Sequence, residues 1–183
     1  MDASAIIATL EKLVPGSGAE ALASIDQPTI LVPAGSLLAV SGALRDDPAF
    51  RFTALVDIVG VDNLPNEPRF EVNYSLVAVD VPARLRVRVR VNGAQPRIPS
   101  AVGVWPAAGF LEREVWDLFG VEFEGHPDMR RLLTPEDWEG HPLRKDYPVQ
   151  VDVPVKFDAP TQVTEEEFRA TMEKDRRLRG DRG

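Results

Sequence analysis

The sequence predicts an α+β protein, in which an antiparallel or mixed sheet carries helices on one face and is followed by a turn-rich C-terminal segment and an extended tail. Three observations support this fold class. Helical apolar spacing flanks a short strand near the N-terminus, strand-like alternation fills residues 52–91, and tryptophans, charges and turn residues dominate the second half. We therefore expect an α+β domain over 1–100, a helix with a turn-rich segment over 101–148, and an extended charged arm over 149–183.

The N-terminal part is predicted to contain two helices separated by a strand. Apolar residues at helical spacing indicate a helix over 3–14, with Ser4 as its N-cap. A short apolar run favours a strand over 29–33, and a second helix is expected over 36–44, where Asp-Asp-Pro stops it. Each helix has an apolar face that a sheet can cover.

Three longer strands follow, over 52–59, 70–79 and 85–91, and a short turn joins the last two into a hairpin. Apolar and polar residues alternate along the hairpin, which is typical of a sheet with one buried face and one solvated face.

Four arginines occupy alternate positions of the last of these strands: Arg84, Arg86, Arg88 and Arg90. The simplest interpretation is a solvated face whose charges meet acids on neighbouring strands, such as Glu71 and Asp57. A docking surface for an acidic partner is the main alternative, because arginine is enriched at interfaces. A nucleic-acid stripe is disfavoured by the overall charge and by the lack of interleaved aromatic residues.

Composition excludes several classes of function. The 183 residues carry a formal net charge of −8, which argues against general nucleic-acid binding. Cysteine is absent, so disulfides, a cysteine nucleophile and thiolate-ligated iron–sulfur clusters are excluded. No apolar run approaches the roughly 20 residues that a membrane helix needs. The N-terminus lacks the pattern of a signal or transit peptide, so a cytoplasmic location is expected.

A third helix is predicted over 106–119. Leu111, Val115, Leu118 and Phe119 form one apolar stripe. Arg113 and Asp117 are spaced as an i, i+4 ion pair, and Gly120 suits the left-handed residue just past the helix end.

The phrase Glu-Gly-His-Pro then occurs twice, and each copy is followed by basic residues. Its histidines, His126 and His141, together with Asp128 and Asp137, could serve a metal-dependent enzyme. However, glycine and proline on either side of a histidine are typical of a turn, in which the imidazole acts as a hydrogen-bonding peg. Clustered rings and arginines without a catalytic set favour a surface that other proteins bury.

Three stretches carry a family resemblance. They are Glu-Arg-Glu-Val-Trp-Asp-Leu-Phe-Gly-Val (112–121), the run 123–133 around the first Glu-Gly-His-Pro, and the run 137–148 around the second. Together they closely resemble the signature of the C subunit of the proton-translocating NADH–quinone oxidoreductase, respiratory complex I. The hairpin is similar to that family too, although Asn73 stands where the family usually has valine.

The resemblance implies a non-catalytic scaffold subunit of the peripheral arm, on the cytoplasmic side of the bacterial cell membrane. Such a chain binds no cofactor itself, while other subunits of the complex hold FMN, iron–sulfur clusters and quinone. Its partners would be the large hydrogenase-like subunit and the adjacent iron–sulfur subunits, and it would meet the membrane only through the complex. The enzyme as a whole passes electrons from NADH to quinone and translocates protons.

No residue is predicted to be catalytic or to bind a metal or cofactor, and the site residues are all expected at partner interfaces. These are Glu112, Arg113, Glu114, Trp116, Asp117, Phe119, His126, Arg130, Arg131, Trp138, His141, Arg144, Lys145 and Tyr147.

Three alternatives stay open at the level of sequence. The chain could be the homologous subunit of a membrane-bound hydrogenase or hydrogenlyase. It could be the stand-alone metal-dependent enzyme described above, or a free adaptor with no electron-transfer partner.

Overall fold

The computed structural model describes residues 2–148, 164–166, 168–170 and 172. The chain falls into two units, Met1–Tyr147 and Pro148–Gly183. The arm predicted after residue 148 therefore lies almost wholly outside the described residues. In the second unit, the Phe168 nitrogen donates to the Thr164 carbonyl at 2.9 Å and Arg169 pairs with Glu165 at 2.7 Å. The division predicted at residue 100 stays a prediction.

The described part of the first unit contains three α-helices, a short 3-10 turn at Ala34–Ser36 and seven strands. In chain order they are α1 (Ala3–Leu13), β1 (Glu20–Leu22), β2 (Thr29–Leu31), α2 (Leu37–Asp46), β3 (Ala54–Asp62), β4 (Phe70–Ala78), β5 (Ala83–Val91), β6 (Arg97–Pro99), α3 (Ala108–Phe119) and β7 (Glu122–Glu124).

Five of the strands form one mixed sheet in the order β1-β2-β5-β4-β3. The hairpin of β4 and β5 lies at its centre, β2 runs parallel to β5, and the other neighbours are antiparallel. The predicted α+β class with a mixed sheet is confirmed. Strands β1 and β6 were not predicted, because their sequences, Glu-Ala-Leu and Arg-Ile-Pro, lack the continuous apolar run that indicated β2.

The core lies between one face of this sheet and the helices. Val72, Tyr74 and Leu76 of β4 are almost fully buried, as are alternate residues of β5. Ile6 and Leu10 of α1 fill the opposite side, together with the apolar face of α2. Each such side chain contributes roughly 1.5–3 kcal/mol by leaving water.

The first helix is capped by a different residue from the one predicted. The Asp2 carboxylate accepts from the Ala3 nitrogen at 2.8 Å, and Asp2 occupies the N-cap position. Ser4 lies inside the helix, because the N-cap is two residues earlier than predicted.

On the other face of the sheet, the arginine stripe is largely neutralised by acids of this chain. Glu71 pairs with Arg88 at 2.8 Å and with Arg90 at 3.0 Å, and Arg86 pairs with Asp26 at 2.8 Å. The expected pairing with Glu71 is thus confirmed. The expected pairing with Asp57 was wrong, because Asp57 lies on β3 and strand β4 separates it from the arginines.

Asn73, which departs from the family pattern, is buried beside these charges. Its side-chain oxygen accepts from Arg88 at 3.1 Å and its amide donates to Glu71 at 3.2 Å. The polar residue therefore joins the charge network of the sheet, whereas a valine would leave Glu71 and Arg88 without these bonds.

Helix α3 packs against β3 at a position that requires glycine. A side-chain carbon on Gly60 would lie 2.7 Å from the Phe119 ring. At the preceding turn, the Trp105 indole donates to the Phe52 carbonyl at 3.1 Å. Gly120 ends α3 in the left-handed region, with φ of 71°, as the sequence predicted. Among the described residues, no helix is both long and apolar enough to cross a membrane.

Gly60→Ala should destabilise the protein by about 1–3 kcal/mol, because the added methyl group overlaps the Phe119 ring and forces α3 away from the sheet. Urea unfolding of the full chain measures this. Gly42→Ala is the control, since open space surrounds Gly42 within α2 and alanine there should raise stability by roughly 0.5–1 kcal/mol. Equal effects of the two substitutions would contradict the close approach.

Candidate functional site

Residues 125–147, here called the turn-rich segment, lie along α3 and against the end of β3. The segment contains no regular helix or strand. Hydrogen bonds from charged side chains hold it in place, and these side chains include most of the predicted site residues. The two Glu-Gly-His-Pro phrases contact opposite ends of α3, since His126 hydrogen-bonds the Gly109 carbonyl near its start and His141 the Asp117 carbonyl near its end.

Asp117 is the centre of this arrangement, and its side chain is completely buried. One carboxylate oxygen accepts from three consecutive backbone nitrogens, those of Leu132, Leu133 and Thr134, at 2.7–3.0 Å. The other oxygen accepts from the Thr134 hydroxyl and from Arg131, the latter at 2.8 Å. A single carboxylate on α3 therefore fixes the backbone of the turn-rich segment.

These contacts also determine the ionisation of Asp117. Burial opposes the charged form, but the hydrogen bonds from Thr134, Arg131 and Leu132 outweigh it and hold the pKa of Asp117 well below its usual range. The group is consequently a carboxylate at neutral pH.

The predicted ion pair between Arg113 and Asp117 does not form, because each has a better partner in the turn-rich segment. Arg113 donates to the carbonyl groups of Arg130 and Arg131, both at 3.0 Å. Arg131 pairs with Asp117 and also donates to the carbonyl groups of Trp138 and Gly140 at 2.6 and 3.1 Å. Its guanidinium carbon lies 5.7 Å from the centre of the Trp116 ring.

The second histidine and its following arginine close the C-terminal end of α3. His141 Nδ1 hydrogen-bonds the Asp117 carbonyl at 2.9 Å, and Arg144 donates to the carbonyl groups of Phe119 and Gly120. Burial lowers the pKa of His141. A side-chain carbon on Gly120 would collide with both His141 and Arg144, so glycine is needed there for space as well as for φ.

A second buried carboxylate holds the far end of the segment. Asp62, at the end of β3, pairs with Arg69 at 2.8 Å and accepts from the Lys145 backbone nitrogen at 2.9 Å. Arg69 pairs in turn with Asp146 at 2.6 Å. The hydrogen bond from Arg69 keeps the pKa of Asp62 well below its usual range.

Glu112 is buried on the opposite side of α3, where it joins the helix to the end of β6. Its carboxylate accepts from the Ser100 hydroxyl at 2.6 Å and the Ala101 nitrogen at 2.7 Å. Burial raises the pKa of Glu112 despite these bonds. The buried Tyr74 hydroxyl has no hydrogen-bond partner among the described residues, and burial raises the pKa of Tyr74 as well.

His126 is held at both ring nitrogens. Its Nδ1 accepts from the Asp128 nitrogen at 3.1 Å, so Nε2 carries the proton that it shares with the Gly109 carbonyl at 2.9 Å. The imidazole thus serves as the peg that the sequence predicted for this turn. Within the part of the chain that the structure describes, no cluster of three or more histidines and carboxylates is arranged to hold a metal ion.

The remaining predicted site residues are exposed or partly exposed. Trp138 stacks on Tyr147 with ring centres 6.4 Å apart, and the Tyr147 hydroxyl donates to the Glu139 carbonyl. Glu114, Arg130 and Lys145 point to the surface. Phe119 is half-buried and lies against β3. Trp116 is also half-buried and lies beside His141.

Beside them, the turn-rich segment exposes several apolar side chains, here called the apolar patch: Leu132, Leu133, Trp138 and Leu143.

Sequence reasoning missed four residues of this site: Asp62, Arg69, Ser100 and Asp146. Asp146 and Arg69 lie inside the family motifs, but nothing local indicates that they meet across 77 residues. Asp62 could have been suspected, because an acid that ends an apolar strand needs a partner if it is buried.

Asp117→Asn should lower the free energy of unfolding by roughly 3–5 kcal/mol at pH 7, because it leaves Arg131 without its buried partner. The folded-state pKa of Asp117 is depressed, so its contribution is complete above the unfolded value near 4 and is lost as the pH falls. The difference in unfolding free energy between the wild-type chain and the variant should therefore be smaller at pH 3 than at pH 7, and urea unfolding at both pH values measures it. Asp128→Asn, at an exposed ion pair, should change stability by less than about 0.5 kcal/mol.

The effect of Glu112→Gln on stability should depend on pH in the opposite direction to that of Asp117→Asn. Glutamine keeps an acceptor for the Ala101 nitrogen and removes a charge whose pKa is raised by burial. The wild-type chain should lose stability relative to the variant as the pH rises above about 4.3, by on the order of 1 kcal/mol per pKa unit. Thermal unfolding between pH 4 and 8 measures this, with the exposed Glu114→Gln as control. A deficit of Glu112→Gln that is the same at every pH would contradict the raised pKa.

Comparison with known proteins agrees with the family resemblance of these motifs. Residues 30–153 match the family model described as the respiratory-chain NADH dehydrogenase 30 kDa subunit. The C subunit of NADH-quinone oxidoreductase from Moorella thermoacetica is 43% identical over 141 residues, covering 77% of this chain and 92% of that protein. The corresponding protein of Roseiflexus sp. strain RS-1 is 51% identical over 107 residues, and the match spans 58% of this chain and 62% of that relative.

Two solved structures share the fold. A trypsin-resistant fragment of Nqo5, residues 1–134, has a TM-score of 0.51 and 32% identity, covering 67% of this chain and 98% of the fragment. A chain of the membrane-bound sulfane sulfur reductase, an archaeal respiratory membrane complex, has a TM-score of 0.69 and 26% identity, covering 88% of this chain and 95% of that one. On the matched family model, the similarity to C subunits of NADH-quinone oxidoreductase and the shared fold, this chain belongs to the 30 kDa subunit family of respiratory-chain NADH dehydrogenase.

Proposed function

We propose that this chain is a non-catalytic scaffold subunit in the peripheral arm of an NADH–quinone oxidoreductase that couples electron transfer to proton translocation. The observation that carries the proposal is that the buried charged groups of the motif are engaged within the chain, while apolar side chains of the same segment are left exposed. A segment built in this way is suited to present a rigid surface to a neighbouring subunit.

Its partners would be the large hydrogenase-like subunit and the iron–sulfur subunits beside it. These subunits would carry the FMN, clusters and quinone site, and this chain would hold them at fixed spacing on the cytoplasmic side of the membrane. Fixed spacing would be the contribution of this chain to electron transfer.

The contacts of the histidines disfavour a stand-alone metal-dependent enzyme. His126 uses both ring nitrogens and His141 uses Nδ1 for hydrogen bonds that shape the turns. A metal bound to His126 would have to displace one of these hydrogen bonds. A metal bound to His141 would have to reach Nε2, which faces the backbone at Gly120.

A second candidate function is membership of a related respiratory membrane complex. The likeness to a chain of the sulfane sulfur reductase complex, over 88% of this chain, favours it. Both candidates assign the same scaffold role, and the subunits that copurify with the full chain distinguish them.

An exposed residue tests the scaffold role better than a charged motif residue does. Arg144, for example, binds two carbonyl groups at the end of α3, so its substitution would disturb the fold before it disturbed an interface. Leu133 is 60% exposed, and Leu133→Glu should leave the thermal unfolding of the isolated chain unchanged. It should reduce the amount of assembled complex on blue-native gels by about tenfold or more, as expected for a charge placed at the centre of an apolar interface.

Val79→Glu is the matched control, because Val79 is 70% exposed and lies in the turn between β4 and β5. It should assemble normally. An intact complex containing Leu133→Glu, with changed quinone kinetics, would contradict the scaffold role.

A further inference from the structure

Strand β3 forms one edge of the five-stranded sheet, and no other segment among the described residues pairs with its free side. The Asn63 nitrogen donates to the Arg69 carbonyl at 2.7 Å, which fixes the hydrogen-bonding phase of the hairpin. Backbone groups of successive residues point to alternate sides in an antiparallel pair. Val59 and Val61 therefore face β4, whereas Ile58 and Gly60 direct N–H and C=O groups away from the sheet.

Apart from an irregularity near its start and the exposed Asp57, this edge has little protection against strand addition. Natural edge strands are commonly short, carry lysine or contain proline. Strand β3 is nine residues long, and its stretch 57–61 contains neither lysine nor proline. The irregularity in its pairing is confined to the first residues, between Leu55 and Asp57. The central part of β3 is thus a template for another extended chain.

A groove of about 220 Å³ lies between this edge and α3. Its apolar lining includes Ile58 of β3 and Val115, Leu118 and Phe119 of α3. Gly60 lets the Phe119 ring approach the strand closely. A chain paired with β3 would consequently place alternate side chains against α3, as in strand addition beside a helix.

The charges beside the groove indicate what kind of chain fits. Asp57 and Glu114 lie on its two walls, both are exposed, and the lining contains no basic residue. In the part of the chain that the structure describes, neither carboxylate forms an ion pair. An incoming segment would therefore be favoured if it carried a positive charge at this point.

We propose that this groove binds an extended segment of a partner protein of the same complex, which adds to β3 as a further strand and places a lysine or arginine between Asp57 and Glu114. The inference deepens the proposed function and rests on it in one respect, since it takes the partner to belong to that complex. Leu143 of the apolar patch also lines this groove, whereas Leu133 does not.

Hydrogen exchange resolved to single amides tests the strand addition, with the full chain compared alone and in the purified complex. The amides of Ile58 and Gly60 should exchange at least about tenfold more slowly in the complex, because they gain hydrogen bonds there. Val59 and Val61 already bond to β4 and serve as internal controls. Equal exchange of Ile58 and Gly60 in both states would overturn the proposal, and so would full protection in the chain alone, since the groove would then be closed without a partner.

Charge reversal tests the basic side chain. The double variant Asp57→Lys with Glu114→Lys should fold normally, because both residues are exposed, and should be retained in the complex about tenfold less well. Glu20→Lys, on the strand at the other edge of the sheet, should be retained like the wild-type chain. Normal retention of the double variant would exclude a basic segment.

The two proposals can fail separately. If Leu133→Glu abolishes assembly while Ile58 and Gly60 stay unprotected in the wild-type complex, the scaffold role stands and the groove proposal is wrong. If the chain does not copurify with any respiratory subunit, the scaffold role itself is wrong.

Discussion

The turn-rich segment depends on one buried carboxylate. Asp117 leaves water completely, and it is stable as a charged group because five hydrogen bonds from the turn-rich segment replace its hydration. The segment has no helix or strand to satisfy its own backbone, so its nitrogens need an acceptor at a fixed position. Helix α3 supplies that acceptor because Asp117 lies on its last turn. The carboxylate and the backbone of the turn-rich segment therefore replace each other's lost hydrogen bonds to water.

Buried acids act in the same way at two other places. Asp62 receives the Lys145 nitrogen and Arg69, and Glu112 receives the Ser100 hydroxyl and the Ala101 nitrogen. In each case a buried acid on a helix or strand accepts from a backbone nitrogen of an irregular stretch. The arginines do the converse, since Arg113, Arg131 and Arg144 all donate to carbonyl groups at turns or at a helix end. A rigid surface is thereby obtained without a further layer of secondary structure.

This arrangement bears on the proposed scaffold role. Charged motif residues that form hydrogen bonds within the chain are not available to recognise a partner. Recognition would instead fall to the exposed apolar patch on the turn-rich segment and to the open edge of the sheet, which share Leu143. Contacts at both surfaces would restrain the orientation of this protein between its neighbours more strongly than contacts at one.

The sequence by itself determined the α+β class, the central hairpin, α3 and its glycine stop, and the motifs that place the chain in its family. These features rest on local periodicity and on residue types that act where they stand. Only the tertiary structure decided that Asp117 accepts from the turn-rich segment and does not pair with Arg113. It also decided that Asp62, Arg69 and Asp146 meet. Finally, it placed Asp57 beside a groove and away from the arginines of β5. The reason is that a charged side chain pairs with whichever group folding brings to it when both leave water, and sequence spacing does not encode that choice.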